Sequence, residues 1–231
     1  MSNLRVALVA EGPTDAIVIE AALRALLPGP FVLTQLQPEP TRPTSATGWG
    51  GVLRWCLAFA SRSQTQFEND PALPGFDLFI LHVDADVAEF TYADVSPEVA
   101  MLATHHGWPH LPNHVSCPPP NGSADAMRAC LFSWSGLQSL GPKTVLCVPS
   151  KAIDTWLVSA LFNHEHRLLH DVECNLNLAA QLTALPKGER VKKTTREYRA
   201  LESQITAAWA IVRKRCTQAE RFSNDIAAAI P

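Results

Sequence analysis

Glu11 and the pair Asp84 and Asp86 are the residues whose type and placement point most directly to chemistry. Each follows at once on a strand-like run, Val6 to Ala10 before Glu11 and Leu78 to Val83 before Asp84. Side chains alternate along a strand, so Asp84 and Asp86 are expected on one side. Two converging carboxylates suit a hard divalent cation, above all Mg²⁺ or Mn²⁺. Glu11, arriving from another strand, can complete the ligand set or act as a general acid or base. Asp15 stands one helical turn beyond Glu11 and faces roughly the same way. Asp154 falls just after a third apolar run, Thr144 to Val148, and joins the expected ligands. Lys151 lies between that run and Asp154, where a lysine can stabilise a pentacovalent phosphorus transition state. Glu11 and Lys151 are thus the expected catalytic pair. Without a cation these anions would repel one another at low dielectric. A lone Asp-x-Asp is a weak pattern, and an Asp at a helix start is more often a cap; the weight lies in the convergence of several strand ends.

The elements that must carry these residues alternate. Strands are expected at Leu4 to Ala10, Phe31 to Leu36, Asp77 to Val83 and Thr144 to Val148. Helices are expected at 16–27, capped by Thr14 or Asp15, and at 51–61, 121–140 and 151–162. Helices alone follow, at about 165–184, 194–215 and 217–229. Residues 37–50 and 107–122, rich in Pro, read as loops. Such alternation predicts an α/β fold, a parallel-sheet core with helices on both faces and a helical C-terminal extension. The expected division is a core at 1–162, with a loop insertion at about 105–122, and an extension at 163–231. Chemistry gathers at the carboxyl ends of strands in such sheets.

The chain has 231 residues, 47% hydrophobic and 18% charged, which fits a globular protein with a real core. The apolar run at Val6 is too short for a signal segment, and nothing approaches the roughly 20 apolar residues of a membrane span. The six cysteines form no C-x-x-C and read as reduced, mostly buried thiols of a soluble cytoplasmic protein. Residues 187–215 hold nine Lys/Arg against three Glu, a net of +6, leaving −9 on the rest of a chain whose total is −3. A basic segment beside an acidic body suits a nucleic-acid backbone, with Lys187, Arg190, Lys192, Lys193 and Arg196 as its contacts. A solvated helical face explains the same charge run equally well.

Other groups weigh less. His105, His106, His110 and His114 lie near Cys117 and invite a zinc reading, but Gly107, Pro109 and Pro112 interrupt any helix that would align them. His164, His166 and His170 read as surface or capping residues, and His82 as a hydrogen-bonded core histidine or a ligand's orienting partner. Most tryptophans read as core, while Gly48-Trp49-Gly50-Gly51 reads as an exposed loop opening a helix. It lacks the Lys and Ser/Thr of a P-loop, which excludes that class of NTPase.

The segment Val6 to Asp15 resembles the opening motif of a Toprim domain, a strand followed by Glu-Gly and a helix; Leu78 to Asp86 resembles its second, a strand ending in Asp-x-Asp. Toprim domains occur in topoisomerases, bacterial primases, small ribonucleases and OLD-family nucleases. The nearer likeness is to small stand-alone bacterial Toprim proteins related to the OLD nucleases and linked to phage defence. Those carry Val-Pro-x-x-Glu-x-Glu-x-Trp-Leu, and this chain reads Val148-Pro149-Ser150-Lys151-Ala152-Ile153-Asp154-Thr155-Trp156-Leu157. Asp154 matches the second acid, whereas Ala152 stands in place of the first, so a second metal site is short of a ligand. Val191-Lys192-Lys193-Thr194 and the helix around Phe222 match loosely too. The resemblance implies a Toprim, Rossmann-like fold, Glu11 as general acid/base or ligand, the Asp pair as Mg²⁺ ligands, and a metal-dependent nuclease. The alternatives are a non-catalytic subunit docking on an ATPase, and phosphotransfer on a small molecule. The oligomeric state stays open.

Overall fold

The computed structural model describes residues 3–39, 47–63, 66–111 and 115–230. Four apolar runs form strands β1 (Leu4–Val9), β2 (Phe31–Gln37), β3 (Leu78–His82) and β4 (Thr144–Cys147). All pairings are parallel and the order is β2-β1-β3-β4. Val6 lies level with Leu33 on one side and Leu78 on the other. Parallel neighbours need crossovers, and helices supply them. The chain leaves β1 through α1 (Pro13–Leu26) to β2, then returns through α2 (Trp49–Arg62) past β1 to β3. The strand order therefore reverses between β1 and β3, the kind of crevice in which such sheets bind ligands.

Alternation sorts the two faces. Val6, Leu8, Ile80 and Val145 pack with Ile17, Trp156, Trp209 and Phe222. Ala7, Val9, Phe79 and Leu81 pack with Phe59, Met127, Leu131 and Trp134. The first face is covered by α1, α5 (Asp154–Leu161), α7 (Thr195–Arg215) and α8 (Thr217–Ala229); the second by α2 and α4 (Asn121–Ser135). The C-terminal helices thus build one face of the core. Thr194 starts α7 by accepting the Glu197 N–H at 3.3 Å. Arg24 and Arg199 tie α1 to α7 through Glu20 and Glu202, at 2.6–2.8 Å. No helix among the described residues is long and apolar enough to cross a membrane.

Several boundaries differ from the sequence pattern. Helix α1 begins at Pro13, a residue suited to a first helical position, so Thr14 and Asp15 lie inside its first turn and do not cap it. Helix α4 stops at Ser135 because Gly136 turns left-handed, φ 66°. The Lys151 helix starts only at Asp154. The expected helix at 165–184 is broken by Asp171 at φ 49° into two short 3₁₀ turns, and only α6 (Leu178–Thr183) is α-helical. Between residues 87 and 106 the pattern predicts nothing, yet α3 (Pro97–His106) forms there, with Ser96 accepting the Val99 N–H and Gly107 ending it. Trp49 is half-buried, 6.1 Å from both Phe90 and Trp134, and is no exposed loop residue. Gly48 donates its N–H to the Glu11 carbonyl at 2.9 Å, so this glycine fastens a strand end.

The reduced state expected for every cysteine is also corrected. Cys117 and Cys174 form a disulfide, while Cys56, Cys130, Cys147 and Cys216 are free and buried. The partners stand 57 residues apart, so only folding the proline-rich loop against the 172–174 turn reveals them.

Candidate metal centre

β1 and β3 end side by side, and their first residues beyond the sheet meet. Glu11 Oε1 accepts the Asp84 N–H at 2.7 Å, tying the two strand ends together. Asp84 is 5% exposed, and its Oδ1 accepts the Ile153 N–H at 2.9 Å. Asp15 enters from the first turn of α1 and is 4% exposed. A β-carbon on Gly12 would lie 3.3 Å from Asp15 Oδ2, so glycine gives this carboxylate room.

His82 precedes Asp84 by two residues, so alternation aims both the same way. Its Nδ1 faces the Cys147 carbonyl at 2.9 Å, which assigns the ring proton to Nδ1. Nε2 then presents a lone pair 3.5 Å from Asp84 Oδ1, fully buried and without a hydrogen-bond partner among the described residues. Ligand atoms of Asp15, His82 and Asp84 lie within 4.8 Å of one another.

The electrostatics express crowding of like charge. Burial first, then Asp15 and Asp86, push Glu11 up to about 8 against the opposing Asp84 N–H and Lys193. Burial raises Asp15 to about 6; Lys193 opposes this and Asp154 adds to it. Asp84 is raised well above the carboxylate range by burial and by Glu11, Asp86 and Asp15. Burial lowers His82 to about 4, keeping it neutral and able to ligate. Buried acids that repel one another beside a buried imidazole lone pair fit a divalent cation, which would satisfy all of them at once.

The other expected site residues separate. Asp84 and Asp86 do not share one side of a strand, because the extended chain ends at Asp84 and Ala85–Glu89 coil into a 3₁₀ turn. Asp86 is partly exposed and still close enough to raise both Glu11 and Asp84. Asp154 is fully buried, but both its oxygens are engaged: Oδ2 accepts from Lys193 Nζ at 2.9 Å and Oδ1 from the Tyr198 hydroxyl in a short contact. Lys193, expected on a nucleic-acid surface, instead reaches inward from the loop before α7, its side chain 42% exposed. Asp154, Asp84 and Asp15 stabilise its charged form and raise its pKa, outweighing burial. Lys151 is 4% exposed and its ammonium meets Ser123 Oγ at 3.4 Å; its carbonyl accepts the Asp86 N–H at 3.0 Å. Lys187, Arg190, Lys192 and Arg196 are exposed, and Arg196 lines a groove of about 590 Å³ with Pro13 and Gln35.

The histidine loop does not assemble a zinc site among the described residues. Cys117 is spent in the disulfide, and His106 stacks on Trp108 at 6.0 Å. His110 offers its carbonyl to the Cys130 thiol at 3.7 Å, and His114 lies outside the described residues. His166 caps a 3₁₀ turn by accepting the Leu168 N–H at 3.3 Å, as the sequence suggests. The sequence reads His82 as a core histidine or a ligand's orienting partner and not as a ligand, and neither Lys193 nor Tyr198 is expected at the centre. His82 had a signal, a histidine inside a buried strand in register with Asp84; Tyr198 had none.

A scan against protein-family models, a search of curated proteins and a search of solved structures each return no match.

Proposed function

We propose that this protein is a Mg²⁺- or Mn²⁺-dependent nuclease of Toprim type, hydrolysing phosphodiesters of DNA or RNA. One observation carries the reading: Asp15, His82 and Asp84 converge, buried, at the point where the strand order reverses, and the half-buried Glu11 is hydrogen-bonded to the Asp84 N–H beside them. Asp15, His82 and Asp84 would hold the ion, with Asp86 at the rim. A bound ion there would polarise a phosphate and lower the pKa of water. The imidazole shifts an otherwise oxygen-based donor set from Mg²⁺ toward Mn²⁺. Glu11 faces the same space and is the group to carry a proton to or from the reacting oxygens. Lys193, held by Asp154, sets a fixed positive charge beside the cluster, suited to charge building on phosphate oxygens. Lys187, Arg190, Lys192 and Arg196 would neutralise backbone phosphates along the approach. The same reading puts the protein in the cytoplasm, in an antiviral role beside an ATPase.

Purified protein incubated with supercoiled plasmid and with total RNA, in Mn²⁺ or Mg²⁺, tests this. Metal-dependent nicking or cleavage is expected from wild type and not from Glu11→Ala or Asp84→Ala. Cleavage by neither nucleic acid assay, or equal cleavage by the variants, sinks the reading.

A second reading, a non-catalytic subunit docking on an ATPase, draws on the Lys193–Asp154 pair, which gives the acids an internal cation. It predicts neither cleavage nor Mn²⁺ uptake by calorimetry.

A further inference from the structure

Far from the strand-end acids along the chain, α4 and α8 border the outer edge of β4, leaving a groove of about 670 Å³. That volume suits a small organic ligand. Arg128 and Arg221 line it together with apolar surface from Phe132, Leu140, Pro142 and Leu146. Arg128 is the unusual member, at 7% exposed. A guanidinium has five donors, no acceptor, and keeps its charge in proteins. Here Nε and Nη2 have no hydrogen-bond partner among the described residues. The nearest ion-pair contact, Asp225 Oδ2, is 3.7 Å from Nη1, too long for a hydrogen bond. Nε and Nη2 form the side-on fork that receives two oxygens of one oxyanion. A whole fork left empty and buried costs stability unless something fills it.

Arg221 strengthens the case. Its Nη1 pairs with Asp125 Oδ1 at 2.5 Å, and its side chain is 43% exposed and able to move. Its charge opposes that of Arg128, which burial already disfavours. An anion would relieve both arginines. Asp125 and Asp225 also line the groove and would repel an anion, so its place is the Nε–Nη2 fork, which Asp225 does not reach. Both fork atoms are buried, so a ligand reaches them only if a neighbouring side chain of the groove moves; Arg221 and Asp225 line the same groove with side chains 43% and 40% exposed.

We infer that this groove binds a small molecule with an oxyanion head, phosphate or carboxylate, on an apolar body, with the Arg128 fork holding the head. The site is separate from the acid cluster and does not depend on the nuclease reading. The test titrates the whole protein in EDTA by calorimetry with two probes: AMP, a phosphate head on an aromatic base, and hexanoate, a carboxylate head on an aliphatic chain. Saturable binding of one or both is expected. Arg128→Met should weaken it about tenfold or more, the loss of charge-assisted hydrogen bonds. Arg221→Gln, at an exposed position where folding is secure, should weaken it several-fold. Asp84→Asn should bind as wild type, which separates this groove from the acid cluster. No binding of either probe by wild type overturns the inference. So does binding unchanged in Arg128→Met, or lost in Asp84→Asn.

Discussion

Two regions of this molecule bury charge with incomplete compensation, and they do so with opposite sign. At the ends of β1 and β3, Glu11, Asp15 and Asp84 crowd together, with Lys193 as the cation that offsets them. In the groove between α4 and α8, Arg128 is the buried group, and among the described residues no carboxylate comes within hydrogen-bond range of it. The first region sits where the topology reverses and binds several loop ends together. The second sits on an outer edge and binds two helices. Burial of charge without balance is a cost, and proteins carry it where a ligand removes it. The difference is one of partner: several converging acids call for a multivalent cation, a single side-on fork for one oxyanion.

The largest effect expected is at the acids. Asp84→Asn keeps the shape of the side chain but removes charge from the trio, and should cut Mn²⁺-dependent cleavage by about 10²–10³-fold, the scale of losing one preorganised electrostatic contact. A variant cleaving at wild-type rate would remove Asp84 from the centre. Lys193→Met is expected next. It leaves buried Asp154 with Tyr198 alone, which destabilises the fold by about 1–3 kcal/mol, below the full cost of breaking a buried pair because Lys193 is half-exposed. Thermal unfolding measures this, and an unchanged midpoint would show that the ion pair contributes nothing.

The two regions differ equally in how far they can be read from sequence. Glu11 and Asp84 announce themselves because each terminates a strand-like run, and a parallel α/β order tells where such ends point. Asp15 was legible by helical spacing. Asp86 was expected beside Asp84 by strand alternation, but the strand stops first. Lys193 and Asp154 stand 39 residues apart, and nothing local distinguishes Lys193 from Lys192; both are exposed, and only the fold brings the Lys193 ammonium onto Asp154. Arg128 sits in a helix whose pattern gives no hint that its outer face is closed by α8. The Cys117–Cys174 bond is hidden for the same reason, since contact between distant segments leaves no periodicity to read.

Acidity provides a subtler discrimination between the regions. Glu11 rises from 4.5 to about 8 on folding, and Asp15 from 3.8 to about 6. The folded state therefore holds protons that the unfolded chain releases. Stability from these groups is full below about pH 4 and is lost as pH climbs through the window up to about 8. Metal-free protein should melt at lower temperature at pH 8 than at pH 5.5, and Mn²⁺ should restore the midpoint, more so at the higher pH. A midpoint that rises with pH in EDTA would contradict the crowding described here.

Arg128 yields the smallest expected effect, of reversed sign. Replacing it by Met removes a buried charge and leaves no buried partner behind, because Asp225 is 40% exposed. Where Lys193→Met exposes the cost of an orphaned acid, Arg128→Met should remove the cost of an orphaned base. A gain of about 1 kcal/mol is expected without ligand, raising the midpoint by about 2–4 °C for a chain of this size. With the preferred oxyanion present the difference should shrink or invert, wild type gaining more stability than the variant. If Arg128→Met is instead markedly destabilised in the absence of anions, the guanidinium is a structural element of the α4–α8 contact, and the asymmetry between the two regions disappears.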